Sequence, residues 1–225
     1  FTFDHPIRIN IPCIKLGEVA KFSLGIKTAD DARFILDNKK DQDTYRLLRG
    51  KDVNKYFKKF NNRWIWYKPN LMNERGGAGP RKIEYFLKPK ILIRDVANEI
   101  QATIDVENYL TNDTVSILYE TKGIDLKCIL AFLNSRLINK WFKMNFPAGL
   151  HIKINQLENI PIPKKIKEKP FIQLVDKILA VTKSEDYLES SAKQSKVKEY
   201  EKQIDQLVYK LYNLTPEEIK IVEGL

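Results

Sequence analysis

The residues in this chain best suited to chemistry are cations set among aromatic rings. Arg49, Lys51, Lys55, Arg63, Lys68 and Arg94 recur through a stretch that also carries Tyr56, Trp64 and Tyr67, and Arg75, Arg81 and Lys82 flank the glycine loop Gly76-Gly77-Ala78-Gly79-Pro80. A guanidinium presents two parallel donors that match a guanine edge or a phosphate, whereas an ammonium is a compact point charge suited to a phosphate alone. Neutralised phosphates release counterions and give salt-dependent affinity; reading a base needs forked donors or amides on a rigid frame. Arg49 and Arg63 are therefore candidates for base contact, Lys51 and Lys55 for backbone contact. Asp52, beside Lys51, is placed to hold an arginine by a charge-assisted pair. Taken singly, each of these residues also fits a solvated surface charge or a core aromatic.

Net charge supports the polyanion reading. The 225 residues carry 39 Lys and Arg against 29 Asp and Glu, a formal charge of +10. The excess is uneven: residues 1–165 hold 29 basic and 18 acidic side chains, whereas residues 166–225 hold 10 and 11. Such an imbalance points to a nucleic-acid partner, although a basic surface without one is also common.

Other chemistry finds little support. The sequence has no G-x-x-x-x-G-K-[ST] phosphate loop, no G-x-G-x-x-G and no H-E-x-x-H. The glycine loop follows no apolar strand, and Pro80 prevents a helix from opening there as a nucleotide cradle requires. His5 and His151 have no Cys, Asp or Glu set at ligand spacing, so neither a metal site nor a catalytic triad is expected. Cys13 and Cys128 lie on dissimilar segments without paired spacing and read as buried thiols. No apolar run approaches the length of a membrane span and Phe1 opens no signal segment, so a cytoplasmic location without membrane contact is expected. The stretch reads as a piece of a larger protein whose catalysis lies elsewhere.

The elements that must position these cations are strands. Alternation in residues 7–11, 101–106 and 114–119 and the compact runs 64–67 and 90–94 predict a strand-rich first part. The period changes at Asp125: Leu126, Ile129, Leu130, Leu133, Leu137, Trp141 and Phe142 predict one helix of about five turns, capped by Asp125, covering the strands. Ile160-Pro161-Ile162-Pro163 must be extended. Beyond Pro170, residues 171–182 and 197–212 read as amphipathic helices joined by a polar linker, 184–195. Thr215-Pro216-Glu217-Glu218 carries a complete capping pattern for a last helix running to Val222. The fold class expected is α+β, with domains at 1–163 and 164–225.

In order along the chain, Leu16-Gly17-Glu18-Val19-Ala20 with Gly25-Ile26-Lys27-Thr28, Leu48-Arg49-Gly50-Lys51-Asp52-Val53-Asn54-Lys55-Tyr56, Lys88-Pro89-Lys90-Ile91-Leu92-Ile93-Arg94, Leu130 to Asn139 and Ile160-Pro161-Ile162-Pro163 form a recognisable series. With Ile204 to Tyr212 and Leu214-Thr215 behind it, the series resembles the TaqI-like C-terminal specificity domain of restriction-modification DNA methyltransferases. Lys27 and Thr28, inside one matching piece, join the candidate DNA contacts.

The resemblance implies a target-recognition domain for double-stranded DNA, from an adenine-N6 methyltransferase or a fused type IIG enzyme. It places S-adenosylmethionine and an N-P-P-Y loop in an upstream methyltransferase domain of the same polypeptide, and magnesium in any nuclease domain. This sequence has no such loop and is expected to hold no cofactor, no metal and no catalytic residue. A second reading is a protein-interaction or scaffold module, docking a methyltransferase or restriction subunit through its C-terminal helices. A free-standing enzyme has no acid–base or nucleophile constellation to support it.

Overall fold

A computed structural model of the chain describes residues 7, 9–147, 149 and 151–225, so His5 and Arg8 lie outside the described residues. The chain divides into two compact units: one of residues 20–122 and 150–154, the other built from the segments up to Val19, 123–149 and 155–225. The fold is α+β. These units are a partition by contact, while the division at 163/164 is one by expected role.

The first unit holds two four-stranded sheets. One runs Ala20–Leu24, Val115–Thr121, Lys90–Arg94, Ala102–Asp105, antiparallel throughout. The other runs Leu110–Thr111, Thr44–Leu48, Trp64–Trp66, Ile35–Leu36, with the first pair parallel. Lys90–Arg94 is buried over its first four residues, as a run without alternation should be when both faces are covered. Leu47, Leu48, Val53, Ile65, Leu92, Leu110 and Ile117 share one core cluster with Phe34 and Phe86.

Within this unit Lys90 and Asp105 form a fully buried ion pair, 2.6 Å apart, directly opposite each other across two strands. Lys90 Nζ also donates to the Phe86 carbonyl at 2.6 Å, and Asp105 accepts the backbone N–H of Glu107 and of Tyr109, each at 3.0 Å. Burial lowers the pKa of the Lys90 ammonium, and Asp105 opposes that shift.

Gly25 has a steric reason. A Cβ there would lie 1.9 Å from the Asn112 carbonyl oxygen, because Gly25 N–H donates to Val115 O and Ile26 N–H to Thr111 O across a close backbone approach.

The second unit is helical apart from one small sheet, Cys13–Lys15 antiparallel to Pro161–Pro163. The prolines tolerate this position because a two-stranded ladder has only edge strands. Residues 7 and 9–11, expected as a strand, have no regular structure. The single helix expected from Asp125 is two, Leu126–Asn134 and Arg136–Asn145. Ser135 separates them: its backbone is extended (ψ 151°), and its hydroxyl accepts the Ile138 N–H at 3.3 Å while donating to Phe132 O at 2.7 Å. Apolar spacing runs unbroken through Ser135, so periodicity alone hides the break. Both helices group with the tail helices: Phe132 packs on Phe171, and Asp125 N–H donates to Glu168 at 2.7 Å.

The helices Glu168–Thr182, Ser191–Leu211 and Pro216–Glu223 follow. The linker is shorter than expected, since Ser190 caps the middle helix by accepting Lys193 N–H, and its first turn is too polar to show a period. Thr215 and Glu218 make both bonds of the capping box. Tyr212 Oη donates to the Pro161 carbonyl at 2.7 Å and ties the tail to the proline strand. Cys128 is buried, but Cys13 is only half-buried on its edge strand; burial raises both thiol pKa values.

Three substitutions separate these constraints. Gly25→Ala should lower the unfolding free energy by about 3 kcal/mol, because the added carbon meets backbone that cannot rotate away. Gly76→Ala, with nothing within 4 Å of its added carbon, should leave the denaturant midpoint unchanged. Lys90→Met, which strands the Asp105 carboxylate, should cost roughly 3–5 kcal/mol. A Lys90→Met midpoint equal to the wild-type one would remove the pair from its structural role.

Candidate nucleic-acid interface

The strand Thr44–Leu48 ends at Arg49, and the chain enters a 3-10 turn, Gly50–Asp52. Gly50 is required there: its N–H donates to Thr114 Oγ1 at 2.8 Å, and a Cβ would come within 2.9 Å of Thr114 O. Asp52, 1% exposed, is the hub of this turn. It accepts the Arg49 N–H at 2.7 Å and Asn61 Nδ2 at 2.6 Å, and its carboxylate lies 3.6 Å from Arg63 Nη1. The Arg49 side chain turns the other way, placing Nη2 3.3 Å from Asp31 Oδ2, and Asp31 accepts the Thr28 hydroxyl at 2.6 Å. Thr28, Asp31, Arg49, Asp52 and Arg63 thus form one polar run.

The run holds both arginines without exhausting their donors. Arg49 Nε and Arg63 Nη1 are buried without a hydrogen bond and out of a ligand's reach, so the donors left to meet one lie on the exposed part of each half-buried guanidinium. An arginine anchored by one carboxylate keeps its remaining donors at a fixed direction, the property that readout of a base edge or a phosphate requires.

The other candidate cations fall into two groups. Lys55 pairs with Glu99 at 3.1 Å, Arg75 with Asp30 at 2.8 Å, and Lys68 with Asp43, a bond that raises the Lys68 pKa. Arg94 donates to the Val96 carbonyl at 2.9 Å and lies 3.5 Å from the Gln101 side chain. Lys27, Lys51, Arg81 and Lys82 are exposed, and among the described residues none has a carboxylate within ion-pair distance. The uncompensated charge of the site rests on these four.

Several expectations change in the fold. Of the cations read as strand-borne, Arg94 alone lies in a strand; Arg49, Lys51, Lys55, Arg63 and Lys68 occupy turns and strand ends. The strands between them are committed to the core on their inner faces, so charge is displaced to their ends. Tyr56 is 2% exposed, with a positive φ of 57° in the turn between Val53–Asn54 and Phe57–Lys58, and its N–H donates to Ala102 O. It belongs to the core and offers no face to a base. Thr28 is likewise buried. Trp64 packs edge-on against Phe60 at 5.6 Å. Tyr67, its hydroxyl pKa raised by burial, donates its O–H to the Arg81 carbonyl. Half-buried Trp64 and Tyr67 stiffen the frame.

Sequence reasoning missed Arg46, whose guanidinium lies 4.2 Å over the Tyr109 ring and donates to Tyr109 Oη and Glu107 O. It also missed Lys40, 3.7 Å over Trp66. Neither has a sequence signal, because both contacts bridge distant segments. Lys90 had one: a lysine opening the apolar run Ile91-Leu92-Ile93 needs a buried partner. His151 Nδ1 lies 3.1 Å from Asp95 Oδ2. Among the described residues no group of three His, Cys, Asp or Glu side chains is arranged to hold a metal ion, and no helix is long and apolar enough to cross a membrane.

Sequence comparison with curated proteins gives no significant match. Among solved structures the chain is similar to the type IIL restriction-modification enzyme MmeI in complex with DNA, at a TM-score of 0.56 and 11% identity, over 95% of this chain and 36% of that one. It is also similar to a structure of a type I restriction-modification system, at a TM-score of 0.52 and 14% identity, over 94% of this chain and 48% of that one. The chain therefore spans about a third to a half of the length of these structures, and at such identities they speak to the fold. The family model of the TaqI-like C-terminal specificity domain matches residues 45–162, just over half of the chain and the stretch that holds the Asp52 turn, both anchored arginines and the glycine loop. The chain belongs to the TaqI-like C-terminal specificity domain family, whose members serve DNA target recognition in restriction-modification enzymes.

Proposed function

We propose that this chain recognises a specific sequence in double-stranded DNA on behalf of an adenine-N6 methyltransferase or a fused type IIG restriction-and-modification enzyme. The observation that carries this reading is the Asp52 turn: Arg63 paired with the buried Asp52 carboxylate and Arg49 with the exposed Asp31, beside cations that have no carboxylate within ion-pair distance among the described residues. Arg49 and Arg63 supply forked donors of fixed direction for base edges, and Lys51 supplies a point charge for a phosphate. Lys55, held by Glu99, is a weaker candidate for that role.

In this reading the methyl donor S-adenosylmethionine is bound upstream, by a methyltransferase domain of the same polypeptide, and magnesium by a nuclease domain where one is present. The residues of this chain bind and orient the duplex; they take no part in methyl transfer. The reading as a docking module is less well supported, because Phe171, Val175, Ile178, Val197, Ile204 and Val208 on the tail helices are buried within the chain itself.

Duplex affinity of the chain should fall with salt along a steep log–log line, each phosphate contact adding about 0.9 to the slope. A slope near zero, or no binding in low salt, would reject DNA recognition. Arg49→Lys keeps the charge and removes the fork. It should cost roughly 1–3 kcal/mol on the target site and relax preference at one base pair, with an unchanged melting temperature. Lys51→Gln should weaken all duplexes alike and reduce the slope by about one unit. If Arg49→Lys lost discrimination and melting temperature together, Arg49 would be a structural residue of the turn.

A further inference from the structure

Arg81 combines two features that stability alone does not explain. It is a non-glycine residue at φ +56°, in the left-handed region that side chains avoid. It is also exposed, with no acceptor or carboxylate on its guanidinium among the described residues. The backbone is held there from outside: Tyr67 donates its hydroxyl to the Arg81 carbonyl. Three residues occupy the same spot. Lys27 and Gly79 exchange both backbone hydrogen bonds, Lys27 N–H to Gly79 O at 3.1 Å and Gly79 N–H to Lys27 O at 2.8 Å, as an antiparallel bridge.

Directly opposed residues in such a bridge point their side chains to one face. A Cβ added to Gly79 would lie 3.6 Å from Arg81 Cζ and 3.6 Å from its Nη2, so the guanidinium stands over Gly79 on the face that Lys27 uses. Two exposed cations are therefore gathered on one side of a bridge, one of them through a strained backbone. Arg75 and Arg33 nearby in sequence are neutralised by Asp30 and Glu74. Like charges placed together without a counter-charge repel, and an anion between them relieves that repulsion.

We propose that Lys27 and Arg81, backed by Gly79, form a two-cation clamp that grips a single phosphodiester of the bound duplex. The inference rests on the DNA-recognition reading and adds to it one sequence-independent anchor, which fixes the register in which Arg49 and Arg63 meet the bases.

The strain makes the test selective. Arg81→Gly removes the guanidinium and relaxes the backbone at once, so the melting temperature should stay or rise. Binding at 0.1 M salt should weaken by about fivefold to tenfold on target and non-target duplexes alike, with a shallower salt slope. Lys27→Gln should do the same, and because both cations hold one phosphate the fold-losses should not multiply in the double variant. Wild-type binding with an Arg81→Gly variant of equal affinity and slope would overturn the clamp and leave DNA recognition standing. Losses that multiply would assign the two cations to separate phosphates and overturn the clamp as well. A wild-type chain that binds no duplex would remove both.

Discussion

The buried pair of Lys90 and Asp105 is the constraint on which the strand-rich unit depends. Two full charges without solvent are tolerated only when each finds a counter-charge and its remaining hydrogen bonds, and here the partners come from several segments. Lys90 reaches the carbonyl that ends the 3-10 turn Ile83–Tyr85, while Asp105 collects the N–H groups of Glu107 and Tyr109, with Lys58 at 3.6 Å. A one-residue slip between the two strands would send one charge to the opposite face of the sheet and leave the other alone. The pair specifies register more than it adds stability, and register decides where the neighbouring turns emerge.

What emerges is a frame whose strands serve the core and whose ends carry charge. The aromatic rings that looked available for stacking fix the frame: Tyr56 inside the hairpin, Trp64 against Phe60, Tyr67 under the Arg81 carbonyl. The cations then separate by partner. Those facing a nearby carboxylate are paired, and Lys27, Lys51, Arg81 and Lys82 have none within ion-pair distance among the described residues. Under the proposed function, anchored forks beside free charges divide the work between base contact and backbone contact.

Much of this was legible in the sequence. The compact runs at 64–67, a strand over Trp64–Trp66, and at 90–94, the capping box at Thr215 and the extended proline pair all follow from local pattern, because each is decided by neighbours in sequence. The break at Ser135 was not, since its apolar spacing continues across it and only the extended backbone interrupts the helix. The placement of Arg49 and Arg63 at strand ends and of Lys51 in a 3-10 turn was also hidden: their spacing suits a strand, but the strands around Leu47, Leu48 and Ile65 stop short of them. The Lys27–Gly79 bridge joins residues fifty-two apart in number and leaves no trace in either segment.

The proposed function requires this chain to select DNA by sequence. The most direct test offers the purified chain a pool of random duplexes and sequences what it retains through repeated rounds at moderate salt. The expected result is enrichment of one motif a few base pairs long, at fixed spacing, that deepens with each round. A retained pool with the composition of the starting pool would contradict it.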